Sequence, residues 1–264
     1  MKTPFVFYLS SLLLLAVLNS VSLVSFAQHA YFVESGTIQF EKKVNMFARL
    51  KNRVKDNNPF MQKIYEEYRR TQPQFNTSKS SLSFSKGRST YTFLTEEKPA
   101  MGFIASDPWL TIKNEIYRDF ATDSTVSIKK VYDEDYVVKD KKQDILWKLT
   151  SEVREIAGYP CRRANGLILD SIYVVAFFTE LIVPSGGPES FSGLPGMILG
   201  VALPHENITW FATKVETTNT LKSTPLVFPR RAKQFSRKEY EEDLQKSMKN
   251  WGEWGTDALK AFLL

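Results

Sequence analysis

Few side chains in this sequence are of the kinds that carry out reactions. There are two histidines, His29 and His205, and a single cysteine, Cys161. A thiol hydrolase would need the imidazole of His205 to take the Cys161 proton, because His29 stands too near the start of the chain to be held firmly. No nucleophile elbow, zinc-helix motif, phosphate-binding loop or calcium-loop pattern occurs. The two histidines and the cysteine are too scattered to form a metal-ligand spacing, so neither metal nor cofactor is expected. Asp133-Glu134-Asp135 is the densest acid cluster, and it falls between two predicted strands, where it reads as a solvated turn. A glycosidase pair would have to be assembled from acids on distant strands, and spacing singles out no pair. Cys161 reads most simply as a small buried group.

The elements that must position these residues begin after an export signal. Lys2 supplies a positive start, Phe5 to Leu18 is apolar apart from Ser10 and Ser11, and Ser25-Phe26-Ala27 provides the small residues a signal peptidase accepts. Residues 1–27 therefore read as a signal peptide cleaved before Gln28, with 28–264 as the mature domain. No cysteine lies near the cut, so a lipid anchor is not expected, and no later apolar run is long enough to cross a membrane. The product is expected to be soluble, in the periplasm or outside the cell. A lone cysteine in an exported chain cannot make an internal disulfide, so stability must come from the core. The net charge of +6 is scattered among acids rather than gathered on one stretch, and export argues against nucleic acid as a partner.

The mature chain reads as mostly antiparallel β-structure. Ile38, Phe40, Val44 and Met46 alternate with Gln39, Glu41, Lys43 and Asn45, the period of a strand with one wet face. Leu82, Phe84, Tyr91 and Phe93 flank Lys86-Gly87-Arg88 as a hairpin, and further strands are predicted over 115–120, 125–132 and 135–140. Ile145, Trp147 and Leu149 alternate as another. Ile172 to Phe178 is apolar on both faces, which predicts a central, doubly covered strand. Residues 197–203 and 208–215 form a last hairpin around Pro204-His205-Glu206-Asn207. Asn58-Pro59 opens an early helix, and Ser236 with Glu239 makes a capping box for a late one over about 236–249. The tail from Trp251 to Leu264 is too apolar to be left in solvent. The fold class is α+β, a single domain dominated by a curved antiparallel sheet with an early and a C-terminal helix.

Several motifs stand together between Trp147 and Val215. They are Trp147-Lys148-Leu149, Ile156-Ala157-Gly158-Tyr159-Pro160-Cys161-Arg162-Arg163-Ala164, Gly187-Pro188-Glu189-Ser190-Phe191 and Gly193-Leu194-Pro195-Gly196-Met197-Ile198-Leu199. In combination they resemble the GLPGLI family, exported proteins of Bacteroidota. Ile38-Gln39-Phe40-Glu41 and Tyr117-Arg118-Asp119-Phe120 sit where that family has similar strand motifs. The sequence departs from the pattern at Met197, where leucine is usual, at Gly200, where an acid is common, and at Phe177-Phe178, where Trp-Tyr is frequent. The resemblance implies an envelope location and carries over no catalytic residue.

Pro195-Gly196 suits the centre of a type II turn leading into the strand from Met197. Its functional reading is a surface loop that meets a partner, with Gly187, Pro188, Gly193, Leu194, Pro195 and Gly196 as candidate binding residues. Aromatic residues make up 13% of the chain and, on strand faces, would line a concave sheet like the half-barrel of periplasmic lipoprotein carriers. The expected function is a non-enzymatic exported binding or accessory protein, its partner an outer-membrane protein or an apolar or lipid ligand. Two alternatives stay open, an exported hydrolase with an unrecognised site and a structural component of an envelope complex. Nothing in the sequence sets the oligomeric state.

Overall fold

The structure, a computed structural model of the chain, describes residues 32–54, 58–97, 102–141, 145–169, 171–218 and 228–264. The signal peptide over 1–27, its cleavage point and His29 lie outside the described residues.

The alternation seen in the sequence becomes β1 (Gly36–Asn45), whose inner positions Ile38, Phe40, Lys42 and Val44 are buried. Met46 does not continue it. The Asn45 side chain accepts from the Ala48 N–H at 3.2 Å and starts helix α1 (Met46–Arg53) one residue after the strand ends. Helix α2 (Pro59–Thr71) opens as expected, with the Asn58 side chain accepting from Met61 N–H at 3.1 Å and proline where a missing N–H costs nothing. Strands β2 (Phe75–Phe84) and β3 (Arg88–Glu96) form the expected hairpin. The short helix α3 (Pro108–Thr111) follows a 3-10 turn and is capped by Asp107, whose carboxylate accepts from Trp109 N–H at 2.9 Å.

Strands β4 (Glu115–Asp119), β5 (Ser124–Val131) and β6 (Glu134–Lys141) continue as a meander. The acid run lies at the β5–β6 turn and the start of β6, and Glu134 pairs with Lys233 at 2.9 Å. The next strand is displaced from its expected position: β7 is Lys148–Ile156, and Trp147 precedes it. Trp147 leaves the ladder because its ring lies over Gly166, where any side chain would meet it at 2.9 Å, while its indole N–H donates to the Ser192 carbonyl at 2.9 Å. Strand β8 (Tyr159–Ile168) pairs with β7 across Ala157-Gly158, both at positive φ, the requirement of a tight hairpin turn.

Strand β9 (Ile172–Thr179) is covered on both faces. Ile172, Val174, Ala176 and Phe178 enter one apolar cluster and Val175 and Phe177 a second. Strands β10 (Met197–Leu203) and β11 (Ile208–Thr217) make the expected hairpin around residues 204–207. A short strand, β12 (Lys233–Ser236), feeds α4 (Arg237–Met248) through the complete Ser236–Glu239 capping box. The apolar tail forms helix α5 (Gly252–Leu263), which buries Ala258, Ala261, Phe262 and Leu263.

Among the described residues these strands join in one open 12-stranded sheet, ordered β12-β6-β5-β4-β3-β2-β1-β11-β10-β9-β8-β7. All pairings are antiparallel except β12 with β6. This is the β-rich α+β architecture expected, with two helices rather than one at each end of the chain. No described helix is long and apolar enough to cross a membrane. The larger core cluster joins α4 and α5 to the sheet through Tyr240, Leu244, Phe262 and the fully buried Trp210. At the free edge, β7 carries an irregularity between Leu149 and Val153, and Arg162 Nε donates to the Thr150 carbonyl at 2.8 Å. Such bulged, plugged edges resist pairing with another chain.

Candidate functional site

The six loop residues singled out by sequence do not lie together on a surface. Gly187, Pro188, Leu194 and Gly196 are buried, and only Gly193 and Pro195 reach solvent. The reason is packing: a side chain at Gly187 would meet Ile198 and the Phe191 carbonyl at 2.9 Å, and Leu194 enters the main core. The turn also differs from the type II geometry expected. Gly196 N–H donates back to the Leu194 carbonyl at 2.8 Å, a three-residue turn centred on Pro195, while Met197 N–H goes to the Ile182 carbonyl at 3.1 Å. Gly200 lies beneath the Phe211 ring, 2.6 Å from where a side chain would begin.

The thiol and the imidazole are each accounted for separately. Cys161 is buried in the smaller apolar cluster, its thiol donating to the Tyr159 carbonyl at 3.4 Å, and burial pushes its pKa up to about 12. His205 is exposed in the β10–β11 turn beside the Tyr173 ring. A thiol that stays protonated is a poor nucleophile. Cys161 is therefore expected to resist a disulfide reagent for hours at pH 8 in native protein and to react at once in urea. Rapid native labelling, read by absorbance, would contradict this burial.

A different constellation assembles from elements far apart in sequence. Helix α1 presents Arg49, Asn52 and Arg53 on one face, the β10–β11 turn presents His205, Glu206 and Asn207, and α5 presents Glu253, Trp254 and Asp257. They line a cleft of about 320 Å³. Arg49 donates to Asp257 at 2.8 Å and to the Glu206 carbonyl at 3.1 Å. Arg53 reaches Asp257 at 2.6 Å and the wholly buried Asp107 at 2.9 Å, and its guanidinium stacks 4.7 Å from the centre of the Trp254 ring. The Trp109 indole donates to the second Asp257 oxygen at 2.8 Å, and Lys260 pairs with Glu206 at 2.9 Å. Burial pushes the Asp257 carboxyl up, but Arg49, the Trp109 indole and Arg53 outweigh it and hold it below the ordinary aspartate value.

Behind the cleft the inner sheet face carries charge. Lys42 donates to the Trp109 carbonyl at 2.7 Å and Lys129 to the Phe262 carbonyl at 3.0 Å, each tying a helix to the sheet. Buried Glu189, at positive φ, accepts from Tyr91 at 3.2 Å and Asn114 at 2.9 Å. Burial lowers both lysines to about 8, although Glu189 opposes it. Between about pH 8 and 9 the unfolded chain then holds more protons than the folded one, so stability rises with pH through that window. Above it the trend is opposed and then reversed, because burial raises Cys161, Tyr91 and Tyr240 and the folded state keeps their protons. The urea midpoint is expected to climb from pH 8 to about 9, a gain of about 1 kcal/mol in stability, since a tenfold change in proton affinity is worth roughly 1.4 kcal/mol. A flat or falling profile over that range would show that the lysines are not desolvated.

Apart from His205 and the turn that carries it, the cleft residues were not among those picked out by sequence. Asp107-Pro108 is a helix-start signature, and Lys42 shares the apolar face of β1, both readable signals. Arg49, Arg53 and Asp257 carry none, since charged residues on helix faces are ordinarily solvated.

No family model and no curated protein sequence matches the chain. Among solved structures it is similar to PNGF-II in the P21 form, at TM-score 0.49 and 14% identity, over 81% of this chain and 34% of that one. The C2 form of PNGF-II matches at TM-score 0.46 and 13% identity, over 77% and 31% respectively. The chain thus spans about a third of the length of those structures. At these scores the likeness assigns no activity.

Proposed function

We propose that the chain is an exported, non-enzymatic binding protein of a bacterial envelope, acting through the polar cleft between α1, α5 and the β10–β11 turn. The observation that carries this reading is the pairing of the charges there: Arg49, Arg53, Glu206 and Asp257 are all engaged in ion pairs. The cleft therefore offers shape and hydrogen bonds rather than a reactive acid. A glycosidase acid needs a raised pKa, whereas Asp257 is held low, which weighs against the hydrolase alternative. The leader sequence and the GLPGLI resemblance support export. An open, mostly antiparallel sheet packed on helices is compatible with a carrier-like half-barrel, an analogy of fold alone. The charged lining turns the reading from an apolar or lipid ligand towards a polar one.

A second reading, a component of an envelope complex, is favoured by Gly193 and Pro195, the solvent-facing tip of an otherwise buried signature. Native mass spectrometry of protein recovered from the envelope and medium tests the first. The expected species begins at Gln28 and carries a small polar molecule released on denaturation. Full-length chain confined to the cytoplasm would overturn export, and crosslinks from Pro195 to one envelope protein in intact cells would favour the second reading.

A further inference from the structure

We infer that the cleft between α1, α5 and the β10–β11 turn takes a neutral saccharide, an assignment that rests on reading this cleft as the ligand site. Its volume, about 320 Å³, falls at the lower end of the range of small-molecule pockets. Of the charged groups lining it, Arg49, Arg53, Glu206 and Asp257 are ion-paired, and Glu253 adds an exposed carboxylate. Arg49 and Arg53 are held by Asp107 and Asp257, and Glu206 by Lys260. An anion entering here adds negative charge among Asp257, Glu206 and Glu253 or displaces Asp257 from the guanidinium groups, and a cation meets Arg49 and Arg53 or displaces Lys260 from Glu206. Each exchange leaves a buried or half-buried charge without its partner, at a cost that a small ion does not repay.

A hydroxyl group makes no such demand. A carboxylate has about four lone-pair sites and a guanidinium five donors, so paired groups still have capacity for a ligand that both donates and accepts. The amides of Asn52 and Asn207 and the imidazole of His205 add further hydrogen-bonding groups to the lining. The cleft also has one flat apolar element, the indole of Trp254, fixed by Arg53 stacked on its ring and by its N–H donating to Tyr132 at 3.4 Å. A rigid indole beside amides and ion-paired carboxylates matches a sugar ring, which has an apolar C–H face and an equatorial rim of hydroxyls. A free amino acid has no comparable apolar face, and its two charges would compete with the existing pairs.

The test follows the indole ¹H–¹⁵N resonance of Trp254 in the secreted protein, assigned by its loss in Trp254→Phe. Glucose, galactose and N-acetylglucosamine are titrated separately, and glycine, glutamate and inorganic phosphate are titrated in parallel. The expected result is a saturable shift with at least one sugar and none with the charged probes. Trp254→Ala should weaken that sugar's binding, followed by calorimetry, at least about tenfold. Asn207 lies at positive φ in the turn, so Asn207→Gly removes the amide while keeping a compatible backbone. It should weaken binding severalfold with an unchanged urea midpoint, which separates lost contact from lost fold. A shift with glycine, glutamate or phosphate and none with sugars would overturn the ligand class and leave the cleft as a binding site. A sugar affinity indifferent to both variants would place the site elsewhere. No shift with any probe would overturn the saccharide assignment and the binding reading together.

Discussion

Replacing Gly196 by alanine is expected to destabilise the protein by about 3–5 kcal/mol, at the upper end for a single substitution. Two independent costs combine at this residue. Its φ of +130° is a backbone state that L-residues rarely adopt, and an added methyl would overlap the Thr179 carbonyl oxygen and lie 2.9 Å from its carbon. The neighbouring backbone cannot retreat, because Thr179 sits at the end of β9 and pairs with Met197 across the ladder. Strain of this kind is relieved only by moving the strand. Pro195→Ala is the matched control: its ring is exposed and its role is to fix one φ, so a change below about 1 kcal/mol is expected. Urea unfolding of both variants decides between two accounts of the Gly-Leu-Pro-Gly signature. A mild Gly196→Ala would mean that the segment is selected for what it meets rather than for how it packs.

Removing Asp107 is expected to be comparably severe, about 3–5 kcal/mol. This carboxylate is fully buried, reaches Arg53 at 2.9 Å and Arg49 at 3.4 Å, and caps α3 through the Trp109 N–H. Asp107→Ala leaves two guanidinium groups sharing Asp257 and frees the segment that holds Trp109, whose carbonyl anchors Lys42. The ion-pair contribution can be separated from the cap. In Asp107→Ala/Arg53→Met the cation is replaced by an apolar side chain of similar reach, and at least about 1 kcal/mol should return relative to the sum of the single changes. Strict additivity in a double-mutant cycle would show that Asp107 acts only as a helix cap. Because the network also lines the cleft, Asp107→Ala should disorder Trp254, visible as a broadened indole resonance.

Much of the fold was legible because strand and helix signals are local. The alternation of Ile38, Phe40 and Val44, the double apolar face of Ile172–Phe178 and the Ser236–Glu239 box each report a periodicity or a cap within a few residues. Local signals failed where a distant partner decided the outcome. Trp147 fits a strand by alternation, but Gly166 and the Ser192 carbonyl draw it out of register. Met46 continues an apolar pattern, yet the Asn45 cap turns the chain into α1. The glycine- and proline-rich segment has the composition of a loop, and loops are ordinarily exposed, so its burial under core side chains was not readable from composition.

By itself the sequence determined a β-rich α+β chain, most strand positions and the lack of any recognisable catalytic motif, and it supplied the apolar leader on which the export reading rests. Those are consequences of hydrophobic period, turn chemistry and residue type, all of short range. Tertiary structure alone decided that Arg49, Arg53, Asp107, Glu206 and Asp257 converge, because three helices and a hairpin turn separated by up to two hundred residues must first pack on one sheet. It also decided that Cys161 and four of the six candidate loop residues are buried. A charge on a helix surface becomes a site only when another element removes it from water and supplies its counter-charge, and no local pattern records which element that will be.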